Sequence, residues 1–273
     1  MLICDNKGIA MEEMTPEEKE RLIDEYMEII DDDNSGKVVK KRALRKVIEL
    51  MPDYYDLQIQ LIMLDFDVKN KNNIERTLEK IEEVQKKVED ELTELDLWKH
   101  KGEFWLYLET RPYMNILKLK VDIYNLSGKI EDSIKLCNRI IELNKSDNLG
   151  VRYILIGNYA VTGDLKNALK LYKKYPEDST SFLLPFAYLY FTLGKEQEAL
   201  GYLIKLNKAN RYILNLFKNG ISYLLDLEIP DYYSFGDQNE AITVLWENHY
   251  VYKNLFFTIF VEDFLKCCPD ISK

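Results

Sequence analysis

Apolar residues recur along most of this chain at the three- and four-residue spacing of an α-helix, and no stretch alternates apolar and polar residues as a half-buried strand would. Between residues 113 and 206 the apolar stripes come in pairs, with a glycine between the two stripes of each pair. A glycine can adopt a positive φ and end one helix, and a small residue five positions later lets the next helix pack closely. The pattern predicts an all-α protein with three successive helical hairpins. The pairs are Gly128 with Ser133, Gly163 with Ala168, and Gly194 with Ala199, and Gly236 with Ala241 repeats the spacing.

The amino-terminal region predicts less regular helices. Residues 15–18 (T-P-E-E) provide a threonine cap, a proline in the first turn and a glutamate three positions after the cap, which together favour a helix start. A second helix is predicted to end at Pro52. A divergent hairpin should follow from Tyr54, with a polar turn at residues 69–73.

A long helix is predicted from Ile74, because no helix breaker appears before Gly102. Two interpretations stay open for its apolar stripe. It could form a homodimer through residues 74–95 as a coiled-coil seam, or it could pack on its own chain, since Gln85 interrupts the seam. The stripe recurs every seven residues, at Ile74, Ile81, Val88 and Leu95.

The carboxyl-terminal region predicts a further helical pair and a cap. Pro230 should end a helix that starts near Tyr212, and residues 232–235 should form a loop. Helices over 238–248 and 251–266 would then cover the last face of a helical stack. The predicted regions are acidic helices with a divergent repeat and the long helix (1–110), three central hairpins (111–206), and a divergent hairpin with a helical cap (207–273).

The charge of the chain bears on its partners. The net charge of −10 lies within residues 1–100, which hold 26 acidic and 16 basic residues. Binding to a phosphate backbone needs clustered Lys and Arg, so we expect no nucleic-acid partner and favour a neutral or basic protein partner. A solubilising surface is the alternative explanation of the acidic excess.

Few side chains suggest chemistry. The four cysteines lack ligand or disulfide spacing, and the two histidines, His100 and His249, lie far apart in sequence, so we expect no metal, no cofactor and no catalytic activity. The longest apolar run, residues 182–193, is too short to span a bilayer, and no signal peptide is evident. We therefore expect a cytoplasmic protein with reduced thiols that does not bind membranes.

Residues 31–36 (D-D-D-N-S-G) lie between two predicted helices, as a calcium-binding loop would. Asp31, Asp33 and Ser35 occupy ligand positions 1, 3 and 5, and Gly36 occupies position 6. Position 12 should be a bidentate glutamate, but it is Arg42. We therefore interpret the segment as an acidic turn that ends a helix.

The central hairpins resemble tetratricopeptide repeats, whose period is 34 residues. Tyr124, Tyr159 and Tyr190 match the aromatic position of that family four residues before the glycine, and residues 140–147 (I-I-E-L-N-K-S-D) are similar to its closing segment. Residues 110–114 (T-R-P-Y-M) and 143–153 (L-N-K-S-D-N-L-G-V-R-Y) resemble a bacterial group of such proteins that is distantly similar to the suppressor of tumorigenicity 7 family. The resemblance implies an α-solenoid of tetratricopeptide-like hairpins.

The resemblance also implies a concave groove, lined by residues of the first helix of each hairpin. The two-carboxylate clamp of some family members is not reproduced, since only Lys118 matches it in kind. Whether the groove tyrosines are exposed or belong to the core stays open. The predicted partner-binding residues are Lys118, Asp122, Asn125, Tyr153, Leu184, Tyr188 and Phe191, with Asn115, Gly157 and Ala160 on the same wall.

These features predict a non-catalytic protein–protein interaction module that binds a peptide or helix of a partner in this groove. The alternative is a sensor of a small ligand or signalling peptide that regulates a partner.

Arg111, Asn148 and Arg152 precede or begin two successive first helices, and we expect Arg111 or Arg152 to pair with Asp147 in a structural role.

Overall fold

The computed structural model describes residues 14–217 and 228–267, and these residues form helices joined by short turns. Within those ranges there is no strand, and the extended pairing is limited to isolated bridges of Gly102 and Glu103 with Asn144. The predicted all-α fold class is therefore confirmed. No helix in this described part is long and apolar enough to cross a lipid bilayer.

The chain separates into two compact units, one comprising residues 1–129 and 142–146, the other residues 130–141 and 147–273. The α-helices of the described residues are α1 (Pro16–Asp31), α2 (Lys37–Leu50), α3 (Tyr55–Met63), α4 (Lys71–Glu94), α5 (Arg111–Leu126), α6 (Ile130–Leu143), α7 (Val151–Thr162), α8 (Leu165–Lys174), α9 (Thr180–Thr192), α10 (Glu196–Ala209), α11 (Arg211–Phe217), α12 (Gln238–Glu247), α13 (Tyr250–Lys253) and α14 (Leu255–Cys267). Short 3-10 turns at Leu97–His100, Phe104–Leu106 and Leu108–Thr110 precede α5.

The helix start predicted at residues 15–18 is confirmed. The Thr15 hydroxyl accepts a hydrogen bond from the Glu18 backbone N–H, and the Glu18 carboxylate accepts one from the Thr15 N–H. This reciprocal pair satisfies two backbone donors that a helix start leaves without partners. The stripe of α1 then packs on α2, where Leu44 and Val47 are fully buried.

The acidic turn between α1 and α2 is organised by Asp32. Its carboxylate accepts hydrogen bonds from the Asn34 backbone N–H and from the Ser35 hydroxyl, each at 3.0 Å. The Asn34 and Ser35 bonds lower the pKa of this carboxyl below 3.8, because they stabilise its charged form. Asp32 is position 2 of the calcium-loop frame and not a ligand position, so these bonds support the interpretation as a turn.

The long helix ends earlier than predicted and buries its stripe within its own unit. Helix α4 stops at Glu94, and Leu95, the last residue of the proposed seam, is exposed. Ile81, Val88 and Leu92 are at most 1% exposed, in a helix that packs on α3 and α5. A homodimer seam through residues 74–95 would need these side chains at the surface, so the interpretation that the stripe packs on its own chain is the one the structure supports.

The three central glycines end their helices with one shared geometry. Each has a φ between 71° and 73°, the left-handed region that glycine adopts without strain. The residue after each glycine donates its backbone N–H to the carbonyl of the tyrosine that lies four positions before the glycine, as in a Schellman motif. The bonds are Lys129 N to Tyr124 O at 2.8 Å, Asp164 N to Tyr159 O at 2.9 Å, and Lys195 N to Tyr190 O at 2.9 Å. The small residues that follow, Ser133, Ala168 and Ala199, are fully buried.

The fourth glycine has a different role. Gly236 also has a positive φ of 81°, and Ala241 is fully buried. Gly236, however, lies in the loop before α12, and its N–H donates to the Glu240 carboxylate at 2.7 Å. The spacing is repeated here without the helix-ending turn of the other three.

The second unit has its core around α9 and the carboxyl-terminal segment, by which we mean residues 238–267. Helix α9 packs on α7, α10 and α12, and α11 packs on α10, α12 and α14. Pro185 lies inside α9 without ending it. The helix predicted from Tyr212 to Pro230 is represented by α11, and its continuation through residues 218–227 lies outside the described residues.

The helix predicted over 251–266 is in fact two helices. Asn254 separates α13 from α14, and its side-chain oxygen accepts the backbone N–H groups of Phe256 at 3.1 Å and Phe257 at 3.2 Å. Asparagine is a favoured helix cap because its side chain satisfies such donors. The predicted loop at residues 232–235 is confirmed.

Candidate functional site

The groove wall predicted on α7 and α9 is covered by the carboxyl-terminal segment of the same chain. The Tyr188 ring lies edge-on to Tyr250 and Phe257, with centroid distances of 5.0 and 5.2 Å. The Tyr188 hydroxyl also accepts a hydrogen bond of 3.2 Å from the Asn254 side chain. Tyr188, which was predicted to bind a partner protein, therefore packs against residues of its own unit.

The neighbouring groove positions are also buried or covered by residues of the same chain. The Phe191 ring lies 4.8 Å from Phe260 and 5.3 Å from Phe257. Leu184 is fully buried, so it is a core residue and we remove it from the candidate surface. At Gly157 an added Cβ would meet the Asn248 side-chain oxygen at 3.0 Å, which shows how closely the segment approaches α7.

The covering segment is a firmly packed part of the unit. Its buried apolar side chains each contribute about 1.5–3 kcal/mol of burial free energy, or roughly 10 kcal/mol or more together. A peptide partner that displaced the segment would have to compensate for this loss of burial. These side chains are Val251, Tyr252, Phe257, Val261, Phe264 and Leu265, at most 6% exposed.

Tyr153 belongs to a different arrangement, a charged cluster at the start of α7. The Arg152 guanidinium donates to Asp147 at 3.0 Å and to Glu177 at 2.9 Å, and it lies 4.2 Å from the centre of the Tyr153 ring. The Tyr153 hydroxyl donates to the second oxygen of Glu177 at 3.1 Å. The pairing of Arg152 with Asp147 was predicted; the part of Glu177, 25 residues away, was not.

The hydrogen bonds and charges of this cluster stabilise the start of α7. Asp147 has a left-handed φ of 51°, and its carboxylate also accepts the backbone N–H groups of Val151 and Arg152, so it satisfies two backbone donors at the start of α7. Burial disfavours the charge of Arg152, but its hydrogen bonds to Glu177 and Asp147 outweigh burial and raise the pKa of the guanidinium above its ordinary value. Burial raises the pKa of the Tyr153 hydroxyl to about 12. The cluster therefore fixes the start of α7.

The other two residues of that structural prediction behave differently. Arg111 does not reach Asp147; its Nε donates to the Trp105 carbonyl at 3.0 Å, and its guanidinium lies 5.2 Å from the centre of the Trp105 ring. Asn148 is exposed. Of the two pairings proposed for Asp147, the one with Arg152 is therefore present and the one with Arg111 is not.

The predicted groove residues of the first hairpin lie on α5. Lys118 and Asp122 form an ion pair of 2.8 Å on successive turns, and both side chains are partly exposed. The Asn125 side-chain oxygen is buried and accepts no hydrogen bond from the described residues. Since Asp122 neutralises Lys118, this pair offers no net positive charge to a partner carboxylate.

An open cleft of about 450 Å³ lies in the first unit beside α3 and α4. Burial and a hydrogen bond with Glu91 raise the pKa of Tyr55 to about 12. Four carboxylates against one lysine make the cleft unfavourable for anionic substrates. Its lining residues are Asp53, Tyr55, Lys87, Asp90, Glu91 and Glu94. Within residues 14–217 and 228–267, no three His, Cys, Asp or Glu side chains are grouped so as to hold a metal ion.

Among the described residues, the two most exposed aromatic side chains lie in residues 229–235, which we call the aromatic loop. Tyr232 is 78% exposed and Phe235 is 85% exposed, and the exposed Trp246 lies on the following helix. Sequence reasoning predicted the loop but assigned it no role. The available signal was its composition, with aromatic residues inside a segment, 228–252, that contains no Lys or Arg.

Comparisons with other proteins added no family to this description: no protein-family model, no curated protein and no solved structure matched the chain.

Proposed function

We propose that this chain is a tetratricopeptide-like α-solenoid that acts as a non-catalytic protein–protein interaction module of the cytoplasm. The observation that supports the proposal is the turn geometry repeated at Gly128, Gly163 and Gly194. A small residue is buried at the same distance after each glycine, so successive hairpins are built by one local rule. Stacked hairpins of this kind bury their apolar faces against neighbours and present extended surfaces to other proteins.

The proposed binding surface differs from the groove predicted by resemblance. Because the carboxyl-terminal segment covers Tyr188 and Phe191, a partner has to bind outside the wall formed by α7 and α9. The burial of the α4 stripe favours a chain that acts as a monomer. The resemblance to tetratricopeptide repeats is part of the proposal, and it does not identify the partner protein.

The test is affinity capture of the full chain from a lysate of its native cell, with quantitative mass spectrometry. The expected result is a small set of proteins retained in near-stoichiometric amounts, at levels that fall as salt is raised if charge contributes. Retention of no protein, together with a thermal shift caused by a small-molecule fraction of the same lysate, would replace the interaction module by the ligand-sensor alternative.

A further inference from the structure

The aromatic loop exposes its largest side chains although its backbone is held firmly. Ser234 N donates to the Asp237 carboxylate at 2.8 Å, and Gly236 N donates to Glu240 at 2.7 Å. The Asn239 side chain donates to the Tyr232 carbonyl at 3.3 Å. A loop fixed in this way loses little conformational freedom when it binds, which favours affinity.

The anchor of the loop is itself buried. The Asn210 side chain, 1% exposed, donates to the Asp237 carbonyl at 2.7 Å and to the Glu240 carboxylate at 2.8 Å. Helix α10 and the start of α12 are thereby tied at the base of the loop. The exposure of Tyr232 and Phe235 is therefore a feature of an ordered turn.

The sequence segment that contains these rings carries charge of one sign, His249 apart. Residues 228–252 contain five carboxylates and no Lys or Arg. Glu228 and Asp231, on the approach to Tyr232, are both exposed. Anionic membranes and nucleic acids would be repelled by such a segment, and a second copy would bring like charges together.

Elsewhere in the second unit, cations of the chain itself lie over its aromatic rings. Arg152 lies 4.2 Å from the centre of Tyr153, Arg211 5.1 Å from Tyr212, and Lys205 5.5 Å from Tyr202. The segment around the aromatic loop supplies no such cation of its own. A cation held over an aromatic face and against carboxylates is stabilised by both interactions.

We propose that the aromatic loop is the docking surface for a basic peptide segment of a partner protein. Lys or Arg side chains of that segment would lie over Tyr232 and Phe235 and pair with the neighbouring carboxylates, while its apolar residues cover the rings. The proposal rests on the proposed function and specifies its surface and the charge of the partner. Exposed aromatic residues on a rigid support are typical centres of binding energy in protein interfaces.

The test uses the full chain and two labelled helical peptides of about 15 residues. One peptide has leucine on one face and lysine elsewhere, and its twin has glutamate in place of every lysine. Fluorescence anisotropy measures the dissociation constant of each peptide. The variants are Tyr232→Ser with Phe235→Ser, and Phe256→Ser as the matched control, because Phe256 is also 76% exposed but lies on α14.

The expected result is that the lysine peptide binds the wild-type chain and that the double variant weakens this binding at least about tenfold. Phe256→Ser should change it by less than about twofold, and the glutamate twin should bind at least about tenfold more weakly than the lysine peptide. Equal binding of the lysine peptide by all three chains would assign it to the acidic surface elsewhere and overturn the proposal. No binding to the wild type would overturn it as well.

The same double variant separates this proposal from the proposed function. If capture from lysate retains the same partner with wild type and with Tyr232→Ser/Phe235→Ser, the interaction module stands and the aromatic loop is excluded. If neither chain retains a partner, the interaction module itself fails.

Discussion

The neighbouring residues Phe256 and Phe257 allow a sharp test of whether the carboxyl-terminal segment is built into the second unit. Phe256 is 76% exposed, whereas Phe257 is fully buried and lies edge-on to Tyr188 and Phe191. Both are phenylalanines in the first turn of α14, so Phe→Ala changes helix propensity about equally at the two positions. The difference between the two variants therefore isolates packing.

The magnitude follows from the contacts of Phe257. Removing a buried phenylalanine side chain costs about 2–3 kcal/mol in transfer free energy, and each aromatic pair adds about 0.5–1.5 kcal/mol. Phe257→Ala should thus lower the free energy of unfolding by about 3–5 kcal/mol, as large-to-small core changes do. Phe256→Ala should stay within about 0.5 kcal/mol of the wild type.

The assay is urea unfolding of the full chain, followed by circular dichroism and tryptophan fluorescence. With a slope of about 2 kcal/mol per molar urea, Phe257→Ala should move the midpoint of the second unit down by about 1.5–2.5 M. A double-mutant cycle with Tyr188→Ala should give a coupling of about 0.5–1.5 kcal/mol. Similar midpoints for the two alanine variants would refute the packing of α14 against α9, and with it the conclusion that the predicted groove is filled.

Three further predictions concern the turns, the charged cluster and pH. Gly163→Ala should cost about 1–2 kcal/mol through its positive φ alone, since no atom lies near the added Cβ, whereas Gly201→Ala inside α10 should stabilise by about 0.5–1 kcal/mol; urea midpoints measure both. Arg152→Ala should cost about 3 kcal/mol because it leaves the buried carboxylate of Asp147 without its cation, as thermal unfolding will report. Burial raises the pKa of Tyr202 from 10.0 to about 12. The contribution of this shift to the free energy of unfolding is therefore fully present below pH 10 and is lost as pH rises through 12. Tyr202→Phe should flatten the fall in stability over that window.

Each of these predictions has its own control. Lys135→Ala removes an exposed ion pair with Asp132 and should cost less than about 1 kcal/mol, so an equal loss for Arg152→Ala would contradict the role of the cluster. Equal effects of alanine at Gly163 and Gly201 would contradict the strain argument. A spectrophotometric titration that finds all tyrosines ionising near pH 10 would remove the basis of the alkaline prediction.

Much of the local structure was predictable because it is encoded within a few residues. The capping box at Thr15 involves residues three positions apart, and the turn at Gly163 joins residues five positions apart. The pairing of Arg152 with Asp147 spans five positions. Interactions of this range depend on residue types and backbone geometry within one or two turns of the chain.

The candidate site was less predictable because it depends on which distant segments meet. A helical stripe shows which face is apolar but not what covers it. The sequence left open whether a second chain or its own chain covers the stripe of α4, and in the structure α4 packs on α3 and α5. The sequence left open whether Tyr188 belongs to the groove or to the core, and in the structure Phe257, 69 positions later, packs on it.

The sequence by itself therefore determined the all-α class, the glycine turns and the helix start at Thr15, since each follows from backbone propensity and capping over one or two turns. Tertiary structure alone decided that Phe257 is buried and its neighbour Phe256 exposed, and that the aromatic loop keeps Tyr232 and Phe235 at the surface. The physical reason is that burial is a property of the surroundings. Identical side chains on adjacent positions of one helix point in different directions, and only the packing of remote segments determines which of them is removed from water.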